Sequence, residues 1–554
     1  MSARADEGQH ENQSQLHGKE NILGTVQTVR HNNARLRPAR LTLALIVISA
    51  ITRIALAWTL GLGVDESYEV VQARVPSLGY FDHPPLSFWI VGVFARLLGT
   101  EQRVVLRLPF ILLFGLTTWL LFRLTARLYG ERAGFIAALL LNVAPVFSLS
   151  TGGWILPDGP LDCAIVAAAY CLTRVFTDGS PAHADSRLAS QAGWWRWWLG
   201  AGFFTGFALL SKYHGAFVMV GTLLFLVTRR QARFWLTRPE AYAAALVALV
   251  IASPAIIWNA EHDFASVRFQ AGRATSHGVH LAALAQNVAG QMGYLLPWIG
   301  IPLLWQLALA LRAGPRDSGR WFLCCLAVGP IAVFTLVALG GQPGLPHWPA
   351  PGYLLLFPLL GDSVARFEVR GERERMLMRR SLTAAVALFV ILTVTASSAI
   401  ATGWPTRLVP GLFRRGDPTL EAIDWRELRP SLISRGLPLD SGELVITTHW
   451  IDAAKVGYAL GPSVRVFCFS DDPRGFQYTY PPSEALGRDG LVIARDARTR
   501  SAPQGVARVP ARSIDSVATV PITRAGQVVM RLAVFRARGI QRVDPSSSTH
   551  RAVP

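Results

Sequence analysis

The chain has 554 residues, of which 51% are hydrophobic and only 16% charged, and its formal net charge is +18. Soluble proteins carry about 25% charged residues, so this composition and a positive mean hydropathy exclude an ordinary soluble globular protein. Lys19, Lys212 and Lys455 are the only lysines. The other cations are arginines in short segments between apolar runs, which is a topology signal rather than a nucleic-acid footprint.

Residues 1–40 are polar, with no apolar region leading to a small-residue cleavage site, and read as a disordered tail rather than a signal peptide. Apolar runs close to the roughly 20 residues needed to cross hydrocarbon then recur up to position 401. They fall at 41–61, 104–126, 132–150, 158–176, 197–211, 214–228, 240–259, 285–311, 321–339, 349–362 and 381–401. The pair around "SKYHG" is two short halves, so the expected number of spans is about eleven. The segment 84–99, "PPLSFWIVGVFARLLG", is apolar but short for a span and reads as an interfacial helix.

Arg30, Arg35, Arg37 and Arg40 precede the first span and place the N-terminus in the cytoplasm. Counting crossings from there puts the Arg-rich loops "ARLYGERAG", 178–196, "TRRQARFWLTRPE", "LRAGPRDSGR" and "ARFEVRGERERMLMRR" on the same side. The opposite, outer face then collects Asp65, Glu66, Asp82, His83, Asp158, Lys212, His214, His262, Arg268 and His347. Orientation was chosen from the arginines alone, so this gathering of chemically useful groups is an independent result. After residue 401 the pattern changes to short Val- and Ile-rich runs, "ELVITTHW", "VRVFCFS", "GLVIARDA" and "VVMRLAVFRAR", with helix-like stretches such as "IDAAKVGYAL" between them. This predicts a small α/β extracytoplasmic domain over 402–542. Residues 543–554 read as a second disordered tail. Of the five cysteines, four lie in apolar runs, and none forms a metal-ligand spacing.

The first outer loop opens with "GVDESYE". Asp65 there either caps a helix or offers a carboxylate to chemistry, and Glu66 either strengthens the helix N-terminus or stands beside the reacting group. Glu69 shares a face with Asp65 at i,i+4, so a cation is expected opposite the pair. In "FDHPPL" the Asp82–His83 pair suits a divalent metal, a phosphate contact by His83, or an acidic helix start before the two prolines. "ILPDGPLDC" places Asp158 at a span's outer end and Asp162 one turn deeper, where a carboxylate is usually functional. Lys212, Arg268 and Arg273 are outer-side cations against the positive-inside trend, which points to an anionic ligand such as phosphate. His347 ends the Pro/Gly-rich loop "GGQPGLPHW" and is either an interfacial residue or a ligand contact.

The order of these motifs resembles that of the GT-C superfamily: an acidic pair after the first span, an acidic residue before Pro-Pro-Leu, then "RLP" opening the second span. Within it the chain is similar to the glycosyltransferase family 39-like enzymes, the protein O-mannosyltransferases and the bacterial lipid A aminoarabinose transferases. "SPAIIWNAEHDFASVRFQAGR" and "HWPAPGY" carry the same likeness, which covers roughly residues 40–400. The resemblance implies an α-helical polytopic membrane fold with interfacial helices, over 41–401, and transfer of a sugar from a polyprenyl-phosphate donor to a lipid, polysaccharide or protein acceptor. It implies Asp65, with Glu66 beside it, as catalytic and Asp158 at a recurrent acidic position. It also implies His83, Lys212, Arg268 and His347 as substrate contacts, and Asp82 with His262 as ligands of a divalent metal ion. His83 stands where those families carry Lys. A transporter or flippase of lipid-linked sugars is the main alternative, but the polar groups crowd one face instead of the bilayer midplane, and no internal repeat is present. A polytopic ligase moving a larger lipid-linked polymer and an inactive scaffold are the remaining readings.

Overall fold

A computed structural model describes residues 38–178, 189–273, 278–341, 344–414, 416–437, 439, 444–495 and 505–542. Most of the expected tail 1–40 and all of 543–554 lie outside these residues. The first helix, α1 (Pro38–Thr59), begins three residues inside the stretch assigned to the N-terminal tail.

Helices α2 (Val64–Ala73) and α3 (Leu86–Leu98) form the first outer loop. The interfacial reading of 84–99 agrees with α3, a helix of 13 residues that leaves Val93, Leu97 and Leu98 exposed and stops at Gly99 in the left-handed region. Next come α4 (Arg103–Tyr129), α5 (Glu131–Asn142), α6 (Asp158–Asp178), α7 (Ala189–Ser211), α8 (Ala216–Thr228), α9 (Pro239–Glu261), α10 (Ala265–Gly272), α11 (Leu281–Leu295), α12 (Pro297–Ala313), α13 (Ser318–Leu339), α14 (Ala350–Leu354), α15 (Phe357–Glu368) and α16 (Glu372–Thr402). Among the described residues six helices are long and apolar enough to cross a membrane, namely α1, α4, α6, α9, α13 and α16. The protein is a multi-pass membrane protein.

Three expected spans are broken, each at proline. The run 132–150 becomes α5 and a separate π-helical turn, Val146–Thr151, after Pro145. The run 285–311 becomes α11 and α12, which meet at 111°. Leu296 sits between them at φ +69° and precedes Pro297, whose ring excludes the helical conformation from its neighbour. The run 349–362 becomes α14 and α15, each with a proline in its first turn and both almost wholly buried. Hydropathy detects the apolar run, but the missing proline N–H ends each helix within it.

Helix α6 is the axis of the bundle: 83% of its apolar stretch is buried, against 6% for α16, which faces outward. The central position of α6 matters because its first residue is Asp158. Helices α7 and α9 approach closely through Gly202, where a methyl group would overlap the Ala244 carbonyl. Gly202→Ala is therefore expected to destabilise by about 1–3 kcal/mol, measured as a lower midpoint of thermal unfolding in detergent. An unchanged midpoint would show that the two helices can separate freely.

The C-terminal part adds α17 (Trp404–Leu408), α18 (Leu428–Ile433), β1 (Leu444–Thr447), α19 (Trp450–Leu460), β2 (Val466–Cys468), α20 (Phe476–Thr479), β3 (Gly490–Arg495), β4 (Ala511–Arg524) and β5 (Gln527–Ile540). The sheet order is β2-β1-β3-β5-β4. Strand β1 is buried along its length and pairs in parallel with β2 and β3, as its continuous apolar run requires. Strands β4 and β5 form a hairpin across Ala525 and Gly526, both at positive φ, the backbone a tight hairpin turn needs. Strand β4 lies outside the apolar runs of the sequence, its long outer portion being largely exposed.

The sheet domain is fused to the membrane domain by one core. Helix α19 packs on α2, with Gly457 against Val71, and Tyr68, Phe88, Phe467 and Val456 belong to one buried cluster. Polar contacts fasten the same face: Lys455 Nζ donates to the carbonyls of Leu62 at 2.6 Å and Ile423 at 3.1 Å, and Arg74 donates to Gly457 at 3.0 Å. Asp424 accepts from the Leu62 N–H at 2.9 Å and pairs with Arg103 at 2.7 Å.

Candidate active site

The corner between α1 and α2 decides which acid is available. Gly63 is the N-cap of α2, and Glu66, three residues on, reaches back to accept its N–H at 2.8 Å, the half of a capping box that a glycine N-cap can form. Glu66 also accepts from Arg107 Nε at 2.7 Å, Arg107 Nη2 at 2.6 Å and the Ile155 N–H at 3.0 Å. Arg107 donates further to the carbonyls of Leu60 and Gly61 at 3.0 and 2.6 Å. Both side chains are buried, 2% exposed for Glu66 and 3% for Arg107. The catalytic expectation for Glu66 is corrected here: every acceptor site it has is occupied, and it holds α1, α2, α4 and the 152–157 turn together. An arginine four residues into an apolar span, at Arg107, is the sequence signal for such a partner.

Asp65 is the opposite case. Its side chain reaches solvent and makes no hydrogen bond or ion pair among the described residues. It is nonetheless sunk among protein atoms. Its carboxyl is raised above the ordinary range by that burial and by the neighbouring Asp82, with Arg474 opposing. Glu69, one turn on, is 3% exposed, and burial lifts its carboxyl well above the usual range. Arg474 is the cation set against Asp65, while Glu69 is raised chiefly by its own burial.

Asp82 is buried beside Tyr68 and forms an ion pair with Arg474 at 3.3 Å. Tyr68 Oη in turn accepts from the Gly475 N–H at 2.9 Å. Arg474 comes from the sheet domain, at φ +52°, with its guanidinium 4.3 Å from the Trp450 ring centre and 5.1 Å from that of Phe269. Arg273 lies over Trp348 at 4.8 Å and is lowered by burial and by Arg474, with Asp82 and Asp65 opposing. Arg474 was missed from sequence because nothing in "DDPRGFQ" marks a loop that folds back across about 400 residues of chain onto the first outer loop.

Lys212 and Asp158 meet directly, Nζ to the two carboxylate oxygens at 2.9 and 3.0 Å, both residues buried. Lys212 can sit there because the chain between α7 and α8 is extended at this residue before a 3-10 turn, Tyr213–Gly215. His83 and His347 border this pair. Burial and the Lys212 charge push His83 down to about 3, and burial pushes His347 down to about 4, so both rings are neutral hydrogen-bonding groups at ordinary pH. His83 Nδ1 is buried without a partner among the described residues. Asp162 accepts from Thr151 at 3.0 Å, and its other oxygen has no partner among the described residues.

Two expected placements are corrected. Arg268 is exposed on the outer side of α10, beside Tyr478, and Arg273, five residues on, takes the inward position. Each residue of the expected metal pair, Asp82 and His262, has another contact in the structure. Asp82 is committed to Arg474, while His262 stacks on Trp258 with centres 4.2 Å apart and its Nδ1 lies 2.8 Å from the Trp258 carbonyl. Among the described residues no three His, Cys, Asp or Glu side chains group as metal ligands would. The residues present do not fit a divalent ion.

The arrangement therefore offers an exposed carboxylate, Asp65, that makes no hydrogen bond or ion pair among the described residues and interacts electrostatically with Asp82, Arg474 and Arg273, while His347 interacts in the same way with Arg273 and with the Lys212–Asp158 pair. Residues 82–258 match the family model described as dolichyl-phosphate-mannose-protein mannosyltransferase. The chain is 26% identical over 294 residues to the lipid A galacturonosyltransferase RgtD of Rhizobium johnstonii, covering 52% of this chain and 58% of that one. It is 23% identical over 405 residues to the lipopolysaccharide core galacturonosyltransferase RgtB of the same organism, covering 71% and 77%. The crystal structure of ArnT from Cupriavidus metallidurans superposes with a TM-score of 0.59 at 15% identity, over 89% of this chain and 97% of that one. The same protein bound to undecaprenyl phosphate gives 0.58 at 16% identity, with the same coverage.

Proposed function

We propose that this chain, a multi-pass membrane protein with the GT-C glycosyltransferase fold, moves a sugar from a polyprenyl-phosphate carrier to an acceptor hydroxyl on the outer side of the cytoplasmic membrane. The observation that carries the reading is the contrast between neighbours: Glu66 is fully bonded, and Asp65 is exposed with no hydrogen bond or ion pair among the described residues. Asp65 takes the proton of the acceptor hydroxyl as its oxygen attacks the anomeric carbon. The bond from that carbon to the phosphate oxygen breaks, the phosphate leaves with the electron pair, and the anomeric centre inverts. Arg474, Arg273 and the Lys212 ammonium receive the growing phosphate charge, and the neutral rings of His83 and His347 donate hydrogen bonds without adding charge. The relatives' names, one acting on lipid A and one on lipopolysaccharide core, support an envelope glycolipid as the acceptor. The Arg-rich loops support a cytoplasmic N-terminus and an outward-facing sheet domain.

A first test is sugar transfer in membrane vesicles, followed by mass spectrometry of the glycolipids. Arg474→Ala should lower the turnover number by roughly a hundredfold, and Arg474→Lys should recover only part of it, since an ammonium lacks the planar fork. If Arg474 does no more than neutralise Asp82, adding Asp82→Asn to Arg474→Ala will restore activity; the phosphate role predicts that it will not.

A second test is the pH profile. Asp65 works as a base only when ionised, and its carboxyl is raised by burial and by Asp82. Transfer should therefore fall, as pH is lowered, above the roughly 3.9 of a free aspartate. An acid limb at or below that value would contradict the assignment.

A further inference from the structure

A cleft of about 320 Å³ opens between α2, the loop that follows it, the end of α9 and α20 of the sheet domain. This lies within the size range of small-molecule sites. One wall is aromatic: Trp258 stacks on His262, and Tyr478 stands edge-on to both, with centres at 5.5 and 5.4 Å. Phe81 extends the wall, 5.7 Å from Tyr478. The other wall carries Gln72, which is wholly buried. Its Oε1 accepts from the Thr479 hydroxyl, while its Nε2 has no partner among the described residues. An unsatisfied buried amide donor is costly unless a ligand completes it. Trp258 is itself buried and backs this wall, and the more exposed rings of Tyr478, His262 and Phe81, opposite an orphan amide, suit a hydroxyl-rich ring. With Glu261 the sole charged residue lining the cleft, it is poorly suited to a phosphate.

The cleft is in line with the base. Asp65 and Gln72 lie two turns apart on one face of α2, about 10 Å along its axis. We infer that this cleft holds a saccharide ring of the acceptor, one or two rings beyond the hydroxyl that attacks, and so selects a glycan acceptor. This rests on the transferase reading above. It adds to it that the sheet domain, through Tyr478 and Thr479, takes part in acceptor choice.

The test uses full-length protein in detergent and, as probe, the water-soluble glycan obtained by removing the acyl chains from lipooligosaccharide. Wild type and Asp65→Asn should bind this glycan equally by saturation-transfer NMR. Tyr478→Ala and His262→Ala should weaken binding by about tenfold, and in the transfer assay they should raise the acceptor KM without changing the donor KM. Tyr478 is 38% exposed, so its truncation leaves the fold intact. The inference fails if wild type does not bind the glycan, if Tyr478→Ala binds as wild type does, or if a short peptide of the same length binds equally well. Glycan binding that depends on Tyr478 in a protein that transfers nothing would overturn the transferase reading and leave the cleft standing. Asp65-dependent transfer that ignores Tyr478 would do the reverse.

Discussion

Replacing Asp65 with asparagine is expected to lower sugar transfer by about a hundredfold or more, the usual contribution of a positioned general base, while the protein stays folded. The two halves of that statement have separate causes. Asparagine is isosteric but cannot take a proton at neutral pH, so the attacking hydroxyl keeps its own. Stability should not fall, because Asp65 makes no hydrogen bond or ion pair among the described residues and Gly63, not Asp65, is the cap of α2. The sign follows from the raised carboxyl: a group harder to ionise in the fold than in the unfolded chain opposes folding once ionised, and asparagine removes that penalty. If Asp65 were instead a helix cap, its loss would cost about 1 kcal/mol of stability and leave turnover alone. Measuring turnover and thermal midpoint on the same preparation separates the two.

The second large effect is structural. Arg107→Met leaves Glu66 buried with a charge and no countercharge, and breaking such a pair costs about 3–5 kcal/mol. Arg107 also holds the Leu60 and Gly61 carbonyls at the corner from which α2 starts. The variant should show the lowest thermal midpoint of any single substitution around the site, and its turnover should fall because Asp65 rides on that corner. The double variant Arg107→Met, Glu66→Met should recover much of the stability, since the buried charge is gone, without recovering all of the activity. A midpoint unchanged in Arg107→Met would mean that Glu66 finds water or another partner and is not the closed structural group described here.

Much of this was legible in the sequence, and the parts that were not share a cause. Hydropathy located the apolar runs and the short helix α3, and arginine placement gathered Asp65, Asp82, His83, Asp158 and Lys212 on one face. In the structure Asp65 interacts electrostatically with Asp82, and His83 with the Lys212–Asp158 pair. Local pattern could not separate Asp65 from Glu66, because the difference lies in Arg107, forty-one residues away, and in the Ile155 amide. Nor could it find Arg474, which reaches Asp82 only because α19 packs on α2 and carries the following loop with it. Arg268 and Arg273 lie on one short segment, and their different exposure follows from the helix α10 that separates them, which local composition does not reveal. Proline breaks within apolar runs were visible as residues but not as bends, since a proline in a span kinks, starts or ends a helix according to what packs around it.

The most direct test of the central claim is the stoichiometry of the reaction in proteoliposomes containing the wild type, a polyprenyl-phosphate sugar and an outer-membrane glycolipid fraction. The account predicts that one polyprenyl phosphate is released for each sugar gained by the glycolipid, that release stops when the glycolipid is left out, and that Asp65→Asn abolishes both. Intact lipid-linked sugar crossing the bilayer with no release, unaffected by Asp65→Asn, would contradict it and make the protein a carrier of such lipids.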